Sequence, residues 1–207
     1  STVIQLNPQA ESAFFNRGEL YFQVGKFEAA VNDYNKVLEF NPQDLQAISG
    51  RAHARLALNQ HAAALADYDT VVSKLPNDAW ALANRAVALL AMQRWQRAKD
   101  DLMKANALQS NGEFCRRLSW LLSTCPDESI CDGAQALEFA RQAIAISGET
   151  AANLDALAAA HAAAGEFDRA RDVYARAIAL AEAEDPESAV KQAAYENNER
   201  YQESFDR

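Results

Sequence analysis

The sequence predicts an all-α chain, and three observations carry that prediction. Alanine, the strongest helix former, supplies 44 of the 207 residues. The β-branched Val and Ile, which favour strands, number only 15 together. Apolar residues recur with a helical period of about 3.6, as in Phe14–Val24 and again in Phe27–Phe40, with Gly25-Lys26 as the turn between. The formal charge of −9, from 20 basic and 29 acidic residues, argues against nucleic-acid binding, which needs a dense basic face. The imbalance is polarised. Residues 1–112 carry 11 basic and 11 acidic side chains, whereas residues 113–207 carry 9 and 18, so the acidic half favours solubility or a basic partner. The longest apolar run, Ala86–Met92, has seven residues, too few for a transmembrane span. Ser1–Ala10 lacks the charged start and apolar core of a signal peptide.

A period of 34 residues organises the elements. Pro8, Pro42 and Pro76 are spaced by 34, and so are the columns Phe14/Ile48/Leu82, Gly18/Ala52/Ala86, Ala30/Ala64/Ala98, Tyr34/Tyr68/Leu102 and Val37/Val71/Ala105. Such alignment of small and large positions marks an internal repeat. Residues 1–10 read as the tail of a preceding unit, because Pro8 stands one period before Pro42. The chain is therefore expected to start in mid-helix as a piece of a larger protein, the alternative being an irregular lead-in left by processing. Residues 11–44 form the first full unit, whose second helix stops at Asn41-Pro42 because the residue before Pro is pushed out of the α region. Units 45–78 and 79–112 follow without a gap. Residues 113–150 are a copy by their second helix, with Ala136, Ala140 and Ala143, but carry an expanded loop between the helices. Residues 151–184 are a clear later copy through Leu154, Ala158, Gly165, Phe167, Ala170, Tyr174 and Ala177. In 185–207, Asp185 suits a helix cap and Pro186 a first turn, and Val190, Ala194, Tyr201 and Phe205 fall on one stripe. That segment is expected to be the solvating end helix that stacked arrays require.

In residues 11–44 the set Phe14, Gly18, Tyr21, Ala30, Tyr34 and Pro42 resembles the tetratricopeptide repeat, a 34-residue helix pair. The resemblance extends over nearly the whole chain. It implies a right-handed α-α superhelix, a solenoid of about five helix pairs with a C-terminal capping helix. The phrase running from Leu118 through Trp120, Cys125, Pro126 and Asp127, followed by Asp132-Gly133-Ala134, is similar to an atypical repeat of bacterial tetratricopeptide proteins and points to a bacterial source. The function it implies is non-catalytic protein binding, with a peptide or helix held on the concave face formed by the first helix of each pair. Projection of the helical spacing puts Phe15, Glu19 and Phe22 on that face, then Gln46, Ser49, His53 and Leu56, then Trp80, Ala83, Asn84 and Val87. The last copy offers the smoother set Asp155, Ala159 and Ala162. Aromatic anchors beside polar groups suit a peptide groove, although Phe15 and Trp80 equally suit packing against the preceding helix. The carboxylate-clamp subclass, which grips acidic chaperone tails, needs Lys and Asn, then Asn, then Lys and Arg. Here those positions hold Phe15 and Glu19, Gly50, then Trp80 and Asn84. A shift by one unit gives Ser49 and His53 before Asn84 and fails as well, so the clamp is not expected. A structural or oligomerising module of a larger protein is the competing reading, and self-association stays open.

The remaining chemistry is sparse. Arg17, Arg51 and Arg85 recur at step 34 with Asp33, Asp67 and Asp101, and both columns vanish together in the later copies, where Leu121, Leu157, Phe139 and Val173 stand. This covariation predicts structural Arg–Asp ion pairs within or between units, which matter more for packing register than for net stability. Cys115, Cys125 and Cys131 lie in the irregular unit. Cys125 and Cys131 bracket its loop and are candidates for a disulfide, with reduced structural thiols as the alternative reading; no His lies nearby for zinc. Reduced thiols fit the cytoplasm and a bridge the periplasm or exterior. His53, His61 and His161 have no catalytic companions, and no phosphate-binding loop is present. No enzyme activity, cofactor or metal is expected.

Overall fold

The computed structural model describes residues 11–181, 188–197 and 199–201, and among them eleven α-helices and no strand. In chain order these are α1 (Glu11–Gln23), α2 (Phe27–Phe40), α3 (Leu45–Ala57), α4 (His61–Lys74), α5 (Ala79–Ala91) and α6 (Trp95–Leu108). They continue with α7 (Gly112–Thr124), α8 (Gly133–Ser147), α9 (Ala151–Ala163), α10 (Phe167–Leu180) and α11 (Ser188–Glu196). The tail expected in residues 1–10, the cap at Asp185 and Pro186, and Phe205 lie outside the described residues.

There are two kinds of helix start, and the sequence explains both. Asp44, Asp78, Asn111, Asp132 and Thr150 cap α3, α5, α7, α8 and α9, each side chain accepting a backbone N–H of the first turn. By contrast α2, α4, α6 and α10 start without a side-chain cap. Each follows a three-residue turn that contains one left-handed residue: Gly25, Asn59, Gln93 or Gly165, with φ of 74°, 57°, 56° and 78°. Gly adopts that conformation freely and Asn with little strain, whereas Gln93 holds it against its own preference.

The described chain divides into two compact units, Ser1–Met92 and Gln93–Arg207. In the first, consecutive helices α1 to α5 pack pairwise, and α1, α2 and α3 enclose a cluster of Phe14, Ala30, Tyr34, Val37, Ala47 and Ala54. Tyr34 explains two glycines. A Cβ on Gly50 would stand 2.6 Å from the Tyr34 ring, and one on Gly18 would stand 3.1 Å away. The ring lies against the bare backbone of α1 and α3, and its hydroxyl donates to Glu19.

In the second unit α7 packs on α6, α8 and α9, α9 on α8 and α10, and α10 on α11. The loop Cys125–Asp132 is closed by backbone and side-chain bonds: Asp132 N–H donates to the Leu122 carbonyl at 3.1 Å, and Asp127 accepts from the Ser129 N–H and hydroxyl. The C-terminal stripe differs from the sequence expectation. Regular helix ends at Glu196, and Val190 is 58% exposed. The residues buried there are Lys191, Tyr195 and Tyr201. Of the projected stripe, Tyr201 is buried and Ala194 packs on the same cluster. But Tyr201 lies beyond the helix and Val190 faces solvent, so the stripe is not one face of a continuous helix.

Candidate functional site

The Arg–Asp columns lock the helices that carry the inner face of the first unit. Arg17 donates through Nε and Nη2 to both Asp33 oxygens at 2.6 and 2.5 Å. Arg51 grips Asp67 in the same fork at 3.0 and 2.7 Å. These are within-unit, bidentate, charge-assisted bonds. The link between units comes from a column that sequence reasoning missed, although it also has step 34: Asn35 and Asp69. Arg51 Nη1 donates to Asn35 Oδ1 at 2.8 Å, and Arg85 Nη1 to Asp69 Oδ1 at 3.0 Å. Arg55 adds a second cation on Asp67 at 2.6 Å. The third column pair is divided, Arg85 belonging to the first compact unit and Asp101 to the second.

On this frame stand the projected face residues. Phe15 is half-buried and meets Tyr34 edge-on, with ring centroids 5.9 Å apart. Glu19 accepts the Tyr34 hydroxyl. Burial first, then that bond, pushes the Tyr34 phenol well above its ordinary value, so it stays a neutral donor. Phe22 packs against Phe27 at 5.5 Å and reaches His53 on α3 at 6.3 Å. His53 in turn stands edge-on to Tyr68 at 5.6 Å. Phe15, Phe22 and His53 are thus half-buried rings, each with one edge on another ring and part of its surface open. Phe15 packs on Tyr34 of the following helix and keeps part of its surface open. Trp80, at the second position of α5, is 47% exposed, while Asn84 and Val87 are half-buried. Gln46 is exposed, and Ser49 and Leu56 are half-buried. Ala83 is a correction, since it is wholly buried and lines nothing.

The face expected to be open in the last copy is covered. Lys191 Nζ bonds Asp155 Oδ2 at 2.8 Å and sits 4.9 Å from the Trp120 ring centre and 5.6 Å from that of Tyr201. Ala159 and Ala162 are buried. Arg200 Nη2 donates to the Cys125 carbonyl at 3.3 Å, and Arg171 Nη1 to the Tyr195 carbonyl at 2.9 Å.

No bridge joins Cys125 and Cys131. All three cysteines are free thiols, and Cys131 Sγ donates to the Cys125 carbonyl at 3.1 Å, an arrangement that closes the loop without a disulfide. Burial pushes the Cys115 and Cys125 thiols up, which lowers the thiolate fraction that reacts. The half-buried Cys131 is therefore expected to be alkylated by iodoacetamide first, with Cys115 and Cys125 lagging at least tenfold, as read by intact mass against time. Three equal rates contradict this. Among the described residues no cluster of His, Cys, Asp and Glu suits a metal, and no helix is long and apolar enough to cross a membrane.

Comparison with known proteins fits this geometry. Residues 12–44 match the tetratricopeptide repeat family, and no curated protein matches the chain. A thermophilic tetratricopeptide-repeat protein of Thermus thermophilus shares the fold at a TM-score of 0.70 and 22% identity, covering 91% of this chain and 100% of that one. YrrB, described as having an unusual peptide-binding site, superposes at 0.67 and 16% identity over 94% of this chain and 96% of its own. The first repeat domain of Spaghetti (RPAP3), solved with an HSP90 peptide, aligns at 0.52 and 26% identity, covering 55% of this chain and 90% of that one.

Proposed function

We propose that the chain, whose residues 12–44 match the tetratricopeptide repeat family and whose fold is that of tetratricopeptide-repeat proteins, is a non-catalytic scaffold that binds a peptide or helix of a partner protein on the face of α1, α3 and α5. The observation that carries this reading is the set of partly exposed rings, Phe15, Phe22, His53 and Trp80, standing on helices held in register by the Arg17–Asp33, Arg51–Asp67, Arg51–Asn35 and Arg85–Asp69 bonds. Rings already held by a core neighbour lose little entropy on binding, and aromatic anchors of this kind dominate interface energies. The partner segment is apolar or mixed rather than an acidic tail, because Glu19 supplies a negative charge and neither Phe15 nor Gly50 brings a side-chain donor.

Peptides selected from a random display library on the full chain test this proposal. The expected result is at least one sequence with micromolar affinity that loses about 30-fold, the ~2 kcal/mol of a binding hot spot, on Trp80→Ala or Phe22→Ala, with helicity unchanged. No enriched peptide, together with a solution mass that rises with concentration, would instead support an oligomerising module.

A further inference from the structure

We propose that the segment carrying Lys191, Tyr195 and Tyr201 is a displaceable strap, seated on a lysine-reading pocket of α7 and α9, and that the pocket takes a lysine-bearing peptide segment of a partner when the strap leaves. The pocket lies on the helix face that the first unit uses for its aromatic set. Asp155 is the fifth residue of α9, as Phe15 is of α1; Trp120 is the ninth of α7, as Glu19 is of α1 and His53 of α3. Asp155 and Trp120 are half-buried, as Phe15, Glu19 and His53 are, and here the chain's own C-terminal segment lies against them.

The segment is seated as a peptide ligand would be. Lys191 is only 5% exposed, and lysine is almost never buried unless paired. Its ammonium is held by Asp155 Oδ2 and by the Trp120 ring, with Tyr201 of the strap on another side. A carboxylate beside an aromatic face is a recognition site for a desolvated cation. Arg200 then reads a single backbone carbonyl, that of Cys125, and Tyr201 lies 6.0 Å from Trp120. A partner segment reproduces these contacts by placing a lysine and an aromatic side chain where Lys191 and Tyr201 stand. Two anchors hold the strap, Tyr195 and Tyr201, which join the buried cluster of Leu154, Ala158, Tyr174 and Ala177, and the helix that carries Tyr195 is short. α11 has nine residues, short for a helix without strong packing, and it exposes Val190. The Tyr195 hydroxyl is buried with no hydrogen-bond partner among the described residues, and release of the strap returns it to water. The inference does not rest on the aromatic face of α1, α3 and α5, and its test involves none of those residues.

Two measurements on the full chain decide it. In hydrogen exchange, the amides of residues 190–196 should exchange at least tenfold faster than the core amides of α9 and α10; exchange at the same rate overturns the proposal. A labelled synthetic peptide of residues 188–201 is the binding probe. It should bind the Lys191→Glu variant, whose own strap is repelled by Asp155, at least tenfold more tightly than wild type. Adding Asp155→Asn to that variant should weaken the capture again. A folded Lys191→Glu chain that ignores the peptide overturns the proposal. So does a variant that loses the helical signal of α9 and α10, because the segment is then part of the core rather than a strap.

Discussion

Gly133→Ala is expected to destabilise the second unit by about 3 kcal/mol, the upper end of the range for an overpacked site. Gly133 is the first residue of α8, directly after its Asp132 cap. A Cβ there would stand 2.6 Å from the carbonyl carbon and oxygen of Ala163 and 2.7 Å from the Ala164 nitrogen. These are backbone atoms at the end of α9. They cannot rotate aside as a side chain can, so either α8 or α9 must move. Movement of α9 disturbs its packing on α7, α8 and α10 together. Thermal denaturation followed by circular dichroism should show a fall of about 6–12 °C, at 2–4 °C per kcal/mol for a chain of this size. An unchanged midpoint contradicts the close packing described. Gly50→Ala is the internal comparison. There the obstacle is the Tyr34 ring, which can shift slightly, and a smaller loss follows.

Asp67→Ala is expected to destabilise the first unit by a similar amount, about 2–3 kcal/mol, somewhat below the ~3–5 kcal/mol that loss of one partner of a buried ion pair costs. Asp67 is buried and holds two guanidinium groups, Arg51 in a bidentate fork and Arg55 through one oxygen. The loss is reduced because the Arg51 and Arg55 side chains remain 19% and 20% exposed and regain some water. The sign of the coupling is the sharper test. Arg51→Met combined with Asp67→Leu should be less destabilising than the sum of the two single changes, since the pair contributes register more than net energy. Chemical denaturation of the four chains measures that coupling. Strict additivity contradicts the description of Arg51 and Asp67 as one unit.

The legibility of this molecule follows from how local its constraints are. Helix pairs are readable because each repeats the same small-against-large contact at step 34, as where the Ala30 and Tyr34 columns are buried. The Asp44 and Asp78 caps belong to the same regularity. Asn35 and Asp69 carry the same periodic signal, yet a polar side chain on a second helix gives no local sign of what it faces. Asn59 and Gln93 likewise share the turn position of Gly25, where residue type alone suggests only Gly. In the C-terminal segment the apolar Ala194 and Tyr201 are readable, but the seating of Lys191 is not. Lys191 is buried by a partner 36 residues earlier and by a ring on α7, whereas a helical projection places a lysine in solvent. Ala83 departs from its projection for a related reason: a small side chain on an inward position is reached by its neighbours and closed off.

The location of the binding face is tested most directly by backbone amide chemical-shift mapping of the full chain with a selected peptide. Binding on the face of α1, α3 and α5 predicts the largest perturbations around Phe15, Phe22, His53 and Trp80, with α2 and α4 little changed. Perturbations concentrated on α2 and α4, or spread evenly over the chain, would contradict it.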